Sequence, residues 1–223
     1  MTLKKDKNER YHLFDTVRGL CILGVVIYHA LFDCIYVFGL LAVSTEIMQA
    51  VLYVRDFGCL LFVLLAGMCE HFGKAKYKRA VGLLGIGTAI SLISYLLMPQ
   101  NVVVFGVLSF MGVASLFLQP LKRFLKNAKS LPCFVGAVAL FLLFFNAAYG
   151  TFGLYGMTFG KIPSVLYANS LTAILGFPPN GFASSDYFPL VPWFFAYLAG
   201  YFLFPLLHLE CLEYWKQLLI NYF

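Results

Sequence analysis

Charged side chains are scarce in this sequence, and the scarcity excludes an ordinary water-soluble domain. Lys, Arg, Asp and Glu make up 12% of the 223 residues, while hydrophobic residues make up 61%. Soluble domains contain about 25% charged and about 45–50% apolar residues. Apolar stretches long enough to cross a bilayer, about 20 residues each, recur along most of the chain. We therefore predict one integral membrane domain over residues 1–223.

Lys and Arg are almost absent from alternate loops, which argues against nucleic acid as the partner of this basic chain. A net charge of +6 could indicate a phosphate-binding surface. However, 12 of the 16 Lys and Arg residues fall in three short segments that alternating spans place on one side of a membrane. This pattern predicts a cell-membrane protein in contact with lipid, with residues 1–12 as a cytoplasmic basic segment. The three groups are Lys4, Lys5, Lys7 and Arg10; Lys74, Lys76, Lys78 and Arg79; and Lys122, Arg123, Lys126 and Lys129.

Cysteine pairs at metal-ligand spacing are also missing. The six cysteines include no CxxC pair, and most lie in apolar runs, so we interpret them as small packing residues and expect no metal. Internal repeats are not evident, so the sequence does not favour an inverted-repeat transporter. It does allow a homo-oligomer.

The apolar runs predict an all-α bundle of about six transmembrane helices, because backbone groups facing lipid must be satisfied within each segment. Residues 150–188 form the longest extracytoplasmic segment. Its apolar part, 162–177, is short and bounded by Pro163 and Pro178, which favours a re-entrant or interfacial helix over a seventh span. The predicted spans are 14–39, 47–72, 79–98, 102–118, 131–149 and 189–209.

Two groups of glycines have different interpretations. Gly82, Gly85 and Gly87 in the third span predict a narrow surface for close helix packing. The second group lacks the Lys-Ser/Thr of a phosphate loop, so it predicts flexible loop or lid positions. Its members are Gly150, Gly153, Gly156 and Gly160.

Four ionisable residues of the first span form a polar stripe. Asp15, Arg18, His29 and Asp33 are spaced by near-whole helical turns and fall within an arc of about 60°. His29 and Asp33, four residues apart, are close enough for direct contact, and a carboxylate orients an imidazole and stabilises its protonated form. At 1.5 Å per residue, His29 lies roughly 21 Å beyond Asp15, in the outer half of the membrane. The alternative is that His29 only bonds a neighbouring helix.

Other polar residues have both a functional and a structural interpretation. Arg18 is suited to bind phosphate groups of a ligand on the cytoplasmic side, or to pair with Asp15. Arg55 and Asp56 either line a site at the outer end of the second span or form a local ion pair. Glu70 and His71 are interpreted as a solvated cap beside a basic loop.

The segment at 185–193 begins the last span. Tyr187 and Trp193 suit the headgroup level of the membrane. Asp186 would need a partner or a substrate if it were buried.

Several motifs together resemble a known family. FDTVRGL at 14–20, continued to His29 and Asp33, is similar to the D-x-x-R-G-(apolar)-H-x-x-x-D opening of bacterial proteins related to heparan-alpha-glucosaminide N-acetyltransferase. LFVLLAG at 61–67, FGVL at 105–108 and SDYFPLVPW at 185–193 match other segments of that family in the same order. The resemblance covers nearly the whole chain.

This resemblance implies a multi-pass acyltransferase that moves acetyl from cytosolic acetyl-CoA to an amino sugar or other glycan on the outer side. His29 would be the acetyl acceptor or base, helped by Asp33. Ser109 stands where relatives often have His. The other candidate site residues, for binding of substrate or donor, are Asp15, Arg18, Arg55, Asp56, Ser109, Asp186, Tyr187 and Trp193. The alternatives are a small proton-coupled transporter and a non-catalytic membrane partner protein.

Overall fold

The computed structural model describes residues 12–72, 75–154 and 157–208. The basic segment before residue 12, together with Lys74, Gly156 and Cys211, lies outside the described residues. The chain divides into two compact units, Met1–Leu65 and Ala66–Phe223.

Helices dominate the described residues, which confirms the predicted all-α class of a polytopic membrane protein. Each long apolar run contains a helix, in which the backbone satisfies its own hydrogen bonds. In chain order the helices are α1 (His12–Phe32), α2 (Thr45–Met68), α3 (Lys76–Leu97), α4 (Val107–Leu125), α5 (Ser130–Leu143), α6 (Leu171–Leu175) and α7 (Leu190–His208).

Five stretches of the described residues are long and apolar enough to cross a membrane, against the predicted number of about six. The predicted span at 102–118 corresponds to α4, which is not among the helices long and apolar enough to cross a membrane. Gln119, Lys122 and Arg123 in its last two turns lower its hydropathy. The five described stretches that qualify are Asp15–Tyr36, Thr45–His71, Lys76–Leu97, Ser130–Tyr149 and Leu190–Leu207.

In the first unit, α1 runs directly into a π-helical turn, Asp33–Val37. The N–H of Phe38 donates to the carbonyl of Asp33 at 2.9 Å, a bond that spans five residues instead of four. A π turn is wider than an α turn. The α-helical periodicity behind the predicted stripe therefore ends at Phe32.

In the second unit, α3 packs against α4 and α5 packs against α7, while α4 also contacts α7. The buried positions of α4 include Phe110, Ala114 and Leu118. Their burial on successive turns shows that α4 is an interior helix of this unit. The hydroxyls of Thr88 and Ser91 in α3 donate to carbonyls one turn earlier, which satisfies them within the helix.

Close packing explains only part of the predicted glycine surface in α3. A Cβ added to Gly87 would approach the backbone N of Ser109 to 2.8 Å, so Gly87 allows α3 and α4 to meet. Gly112 plays the same role from α4, against the carbonyl of Ala80. For Gly82 and Gly85, no atom of the described residues lies within 4 Å of an added Cβ. For these two residues the packing surface stays a prediction.

The segment between α5 and α7 contains a β-hairpin that the all-α prediction missed. Strands β1 (Thr151–Leu154) and β2 (Met157–Lys161) pair antiparallel. Gly153 and Gly160 belong to these strands, so they are paired residues and not the predicted loop positions. Gly160 faces the ring of Phe152. Beyond the hairpin come a 3-10 turn at Ser164–Tyr167 and the five-residue α6, which is too short for a seventh span.

Candidate functional site

Two of the motif segments, about eighty residues apart in the chain, are hydrogen-bonded to each other in the second unit. The N–H of Ser185 donates to the carbonyl of Val102 at 3.0 Å, and the N–H of Phe188 donates to Phe105 at 3.1 Å. The hydroxyl of Ser184 accepts from the N–H of Val104 at 2.8 Å. These bonds hold the start of α4 beside the segment that leads into α7.

Asp186 caps the N-terminus of α4. Its Oδ2 accepts from the N–H of Val107 at 3.0 Å, and a carboxylate is favourable at the positive end of a helix dipole. Gly106 lets this carboxylate approach, since an added Cβ would lie within 3 Å of it. Phe105, just before, has φ 55°, a left-handed conformation that is costly for a non-glycine residue. The hydrogen bond from Phe188 holds it there.

Ser109 and Asp186 line one cavity of about 160 Å³ between α3, the start of α4 and the segment before α7. Ser109 is 6% exposed, and its Oγ sits against Gly87, in space that a larger residue at 87 would occupy. The structure therefore brings two of the predicted site residues together.

Tyr187 and Trp193 are anchored inside the second unit. The hydroxyl of Tyr187 donates to the carbonyl of Ala173 at 2.6 Å, and burial raises the pKa of this hydroxyl. The ring of Trp193 packs against Phe188 and Phe141, with centroid distances of 4.8 and 5.7 Å. Both aromatic residues thus support the segment that carries Asp186.

The predicted His29 and Asp33 lie in the first unit, at the end of α1 and the start of the π turn. Both side chains are exposed. The expected contact between them does not form: no hydrogen bond or ion pair joins them in the described part of the chain. The change from α to π geometry at Asp33 alters the four-residue spacing on which that contact depended. Asp15 is exposed and Arg18 is half-buried on the same helix.

Arg55 links α2 to α1 through the neighbour of His29. It forms an ion pair with Asp56 at 2.7 Å, as the local interpretation predicted. It also donates to the hydroxyl of Tyr28 at 3.0 Å, and its guanidinium lies 5.3 Å from the centre of that ring. The Tyr28 ring contacts His29 edge to face at 5.4 Å.

A polar cluster in the second unit surrounds Glu70, which the sequence interpretation wrongly treated as a solvated cap. Glu70 is 0% exposed. Such burial of a carboxylate requires compensation by donors and cations. Its donors come from three different helices: Arg79 Nη2 at 2.6 Å, Ser115 Oγ at 2.7 Å, Lys122 Nζ at 2.9 Å, Gln119 Nε2 at 3.0 Å and Tyr197 OH at 3.0 Å.

His71, the neighbour of Glu70, is also packed inside the second unit. Its Nε2 lies 2.8 Å from the carbonyl oxygen of Tyr201, and its ring stacks on the rings of Tyr201 and Phe204. The one sequence signal for this cluster was an ionisable pair at the end of an apolar run. Which helices supply the partners could not be inferred from that signal.

Comparison with known families shows which family the chain belongs to. Residues 10–218 match the family model described as heparan-alpha-glucosaminide N-acetyltransferase, catalytic. The chain belongs to this family. The suspected resemblance is therefore confirmed, and the family indicates membrane acetyltransferase activity. No curated protein and no solved structure matched the chain significantly.

The match to the N-acetyltransferase family includes α1 with His29, the whole cavity and the Glu70 cluster. Within residues 12–72, 75–154 and 157–208, no three His, Cys, Asp or Glu side chains are grouped so that they could hold a metal ion.

Proposed function

We propose that the chain transfers an acetyl group from cytosolic acetyl-CoA to an amino sugar or other glycan acceptor on the outer side of the cell membrane. The match of the catalytic family model over residues 10–218 is the observation that carries this proposal. The positive-inside charge pattern supports the orientation, with the amino terminus in the cytoplasm.

His29 is the proposed reactive group of α1. In the covalent route its imidazole nitrogen attacks the thioester carbonyl, and the C–S bond breaks to release the CoA thiolate. The acceptor then displaces the imidazole, and its proton ends on the thiolate. In the general-base route the imidazole takes the acceptor's proton during direct attack on the thioester and passes it to the thiolate.

Two features of α1 support a reactive role for His29. An ionisable side chain within an apolar span is costly, and such residues usually mark functional sites. The π turn that starts at Asp33 adds a second signal, because such turns occur often at functional sites. Asp33 would act on His29 by charge, since the two are not hydrogen-bonded in the described residues.

The remaining polar residues of the first unit would bind the two substrates. Arg18, near the cytoplasmic end of α1 beside Asp15, would bind donor phosphates, since a guanidinium recognises them in bidentate fashion. Arg55 and Asp56 would lie on the acceptor side, where the bond from Arg55 to Tyr28 fixes the neighbour of His29.

Purified protein in detergent, mixed with acetyl-CoA and a panel of amino sugars, tests this proposal. His29→Ala should lower the transfer rate by about 10²–10⁴-fold, whereas His12→Ala, at the first residue of the same helix, should not. Labelled acetyl-CoA followed by chemical quench separates the routes: acid-labile protein label that disappears in His29→Ala indicates the covalent one. Transfer at the normal rate by His29→Ala would refute the role of this residue.

A further inference from the structure

Three cations meet at the buried carboxylate of Glu70, whose charge can balance only one of them. Arg79 Nη2 lies 2.6 Å from one oxygen, and Lys122 Nζ lies 2.9 Å from the other. Lys76 is close enough to Lys122 and Arg79 to be repelled by both, and it forms no ion pair within the described residues. We call Lys76, Arg79 and Lys122 the basic cluster. Together with Glu70 they carry a net charge of +2.

The start of α3 adds to this positive charge. The helix begins at Lys76, its first turn contains no acidic residue, and Ala75 before it provides no side-chain cap. The positive end of the helix dipole lies here, where cations are unfavourable and anions are favourable. An anion at this point would relieve the repulsion within the basic cluster and would also interact favourably with the dipole.

The basic cluster is accessible to such an anion. The side chain of Arg79 is 43% exposed and that of Lys122 is 19% exposed, while Lys76 is half-buried. A guanidinium has five N–H donors in a planar fork, and Glu70 engages only Nη2 of Arg79. The other nitrogens of Arg79 are therefore suited to bind the oxygens of a phosphate.

The surroundings favour the phosphate of a membrane lipid over that of a soluble compound. Lys76 is the first residue of a stretch long and apolar enough to cross a membrane, which places the basic cluster at the membrane boundary, the level of lipid phosphates. Tyr77 and Val81 of α3 and Phe124 of α4 are exposed close to it in sequence, and such apolar side chains suit acyl chains. Basic pockets between transmembrane helices bind the headgroups of anionic lipids in other membrane proteins.

We propose that the basic cluster binds the phosphate of an anionic phospholipid, in the leaflet that borders the start of α3. Arg79 donates to the phosphate oxygens, and Lys76 and Lys122 supply further positive charge. The acyl chains then lie along Tyr77 and Val81. An anionic headgroup fits better than a zwitterionic one, because the latter brings its own cation to a site that is already positively charged. This lipid site does not depend on the proposed transfer reaction.

Native mass spectrometry of the purified full chain tests the proposal by measuring the Kd of the first bound dioleoylphosphatidylglycerol or dioleoylphosphatidylcholine, each added in detergent. The wild-type chain should bind the anionic lipid more tightly. Lys76→Gln should raise the Kd of phosphatidylglycerol about fivefold, the effect of one cation near an anionic headgroup, and leave phosphatidylcholine unchanged. Lys76→Arg should keep the wild-type preference. Lys129→Gln is the matched control, because it removes the same charge from an exposed residue at the N-cap of α5, and it should bind phosphatidylglycerol normally.

Three results would overturn the lipid site: equal affinity of the wild-type chain for both lipids, unchanged phosphatidylglycerol binding in Lys76→Gln, or the same loss in Lys76→Gln and Lys129→Gln. The last of these would indicate only a general attraction of anionic lipid to basic residues. Displacement of phosphatidylglycerol by acetyl-CoA at constant ionic strength would also contradict the proposal, because the cations would then hold a soluble phosphate compound. If Lys76→Gln fails to fold, the comparison of the two lipids and the acetyl-CoA displacement on the wild-type chain still decide.

Discussion

Nζ of Lys122 lies 2.9 Å from Oε2 of Glu70, whose side chain has no exposed surface. Arg79 reaches the other oxygen of the same carboxylate at 2.6 Å. Two cations and three uncharged donors thus converge on one buried anion. We infer that this cluster holds together the start of α3, the second half of α4 and the middle of α7.

Glu70→Ala should destabilise the protein strongly. Removal of one partner from a buried ion pair costs about 3–5 kcal/mol, because the remaining charge is left uncompensated. Thermal or denaturant unfolding in detergent micelles measures the loss. Glu46→Ala is the control, since Glu46 is exposed in the first turn of α2. Similar unfolding curves for the two variants would contradict the central role of Glu70.

The cap at the start of α4 should tolerate an amide but not a methyl group. Asp186→Ala removes the acceptor for the N–H of Val107 and should cost about 0.5–2 kcal/mol, whereas Asp186→Asn should stay close to wild type. Ser185→Ala serves as the control, because the hydrogen bond of Ser185 to Val102 uses only its backbone. Unfolding free energies measure all three. Equal losses for Asp186→Ala and Ser185→Ala would disprove the cap.

Gly67→Ala should destabilise the second unit. An added Cβ would overlap the carbonyl oxygen of Tyr197 and lie 3.0 Å from the N of Tyr201, so the backbone must shift, at about 1–3 kcal/mol. At Gly85 an added Cβ has no atom of the described residues within 4 Å. Gly85→Ala should therefore stabilise α3 by roughly 0.5–1 kcal/mol. Melting temperatures that move in the same direction for both variants would argue against this packing.

Tyr187 should make stability depend on pH only under alkaline conditions. Burial raises the pKa of its hydroxyl in the folded state, so the unfolded chain ionises first. The contribution of the neutral Tyr187 hydroxyl to stability is complete below the unfolded pKa of about 10. It is lost as the pH rises from there through the folded pKa. Melting temperatures between pH 8 and pH 11 should fall less steeply in Tyr187→Phe. Tyr149→Phe, at a residue 84% exposed, should retain the wild-type slope.

Much of the architecture follows from the sequence, because lipid-facing backbone leaves helix as the only solution for each long apolar run. The sequence indicates residues 102–107 and 184–188 only through two motifs that match the family in the same order. It does not indicate that the two segments contact each other. Their contact depends on tertiary hydrogen bonds such as that from Phe188 to Phe105. The hairpin was missed because its glycines are typical of loops, whereas Gly153 and Gly160 serve close strand contacts.

The site was harder to predict than the fold. The α-helical periodicity of the sequence predicts His29 and Asp33 on one stripe. It does not indicate the π turn that starts at Asp33 itself. The sequence interpretation treats Glu70 as a surface residue, because the basic loop that follows it indicates exposure to water. Its burial depends on Ser115 and Tyr197, which follow it by 45 and 127 residues, and no local pattern encodes such separations.

Because of these separations, the partners of Glu70 are synthesised at very different times. Glu70 emerges from the ribosome nine residues before Arg79, but 52 residues before Lys122 and 127 before Tyr197. A carboxylate is expensive in a bilayer without its partners. We therefore expect the turn Cys69–His71, which follows α2, to stay near the membrane surface, or in the insertion machinery, until α7 has been made. Truncated chains that stop before Tyr197 should expose this residue to proteolysis and to quality control.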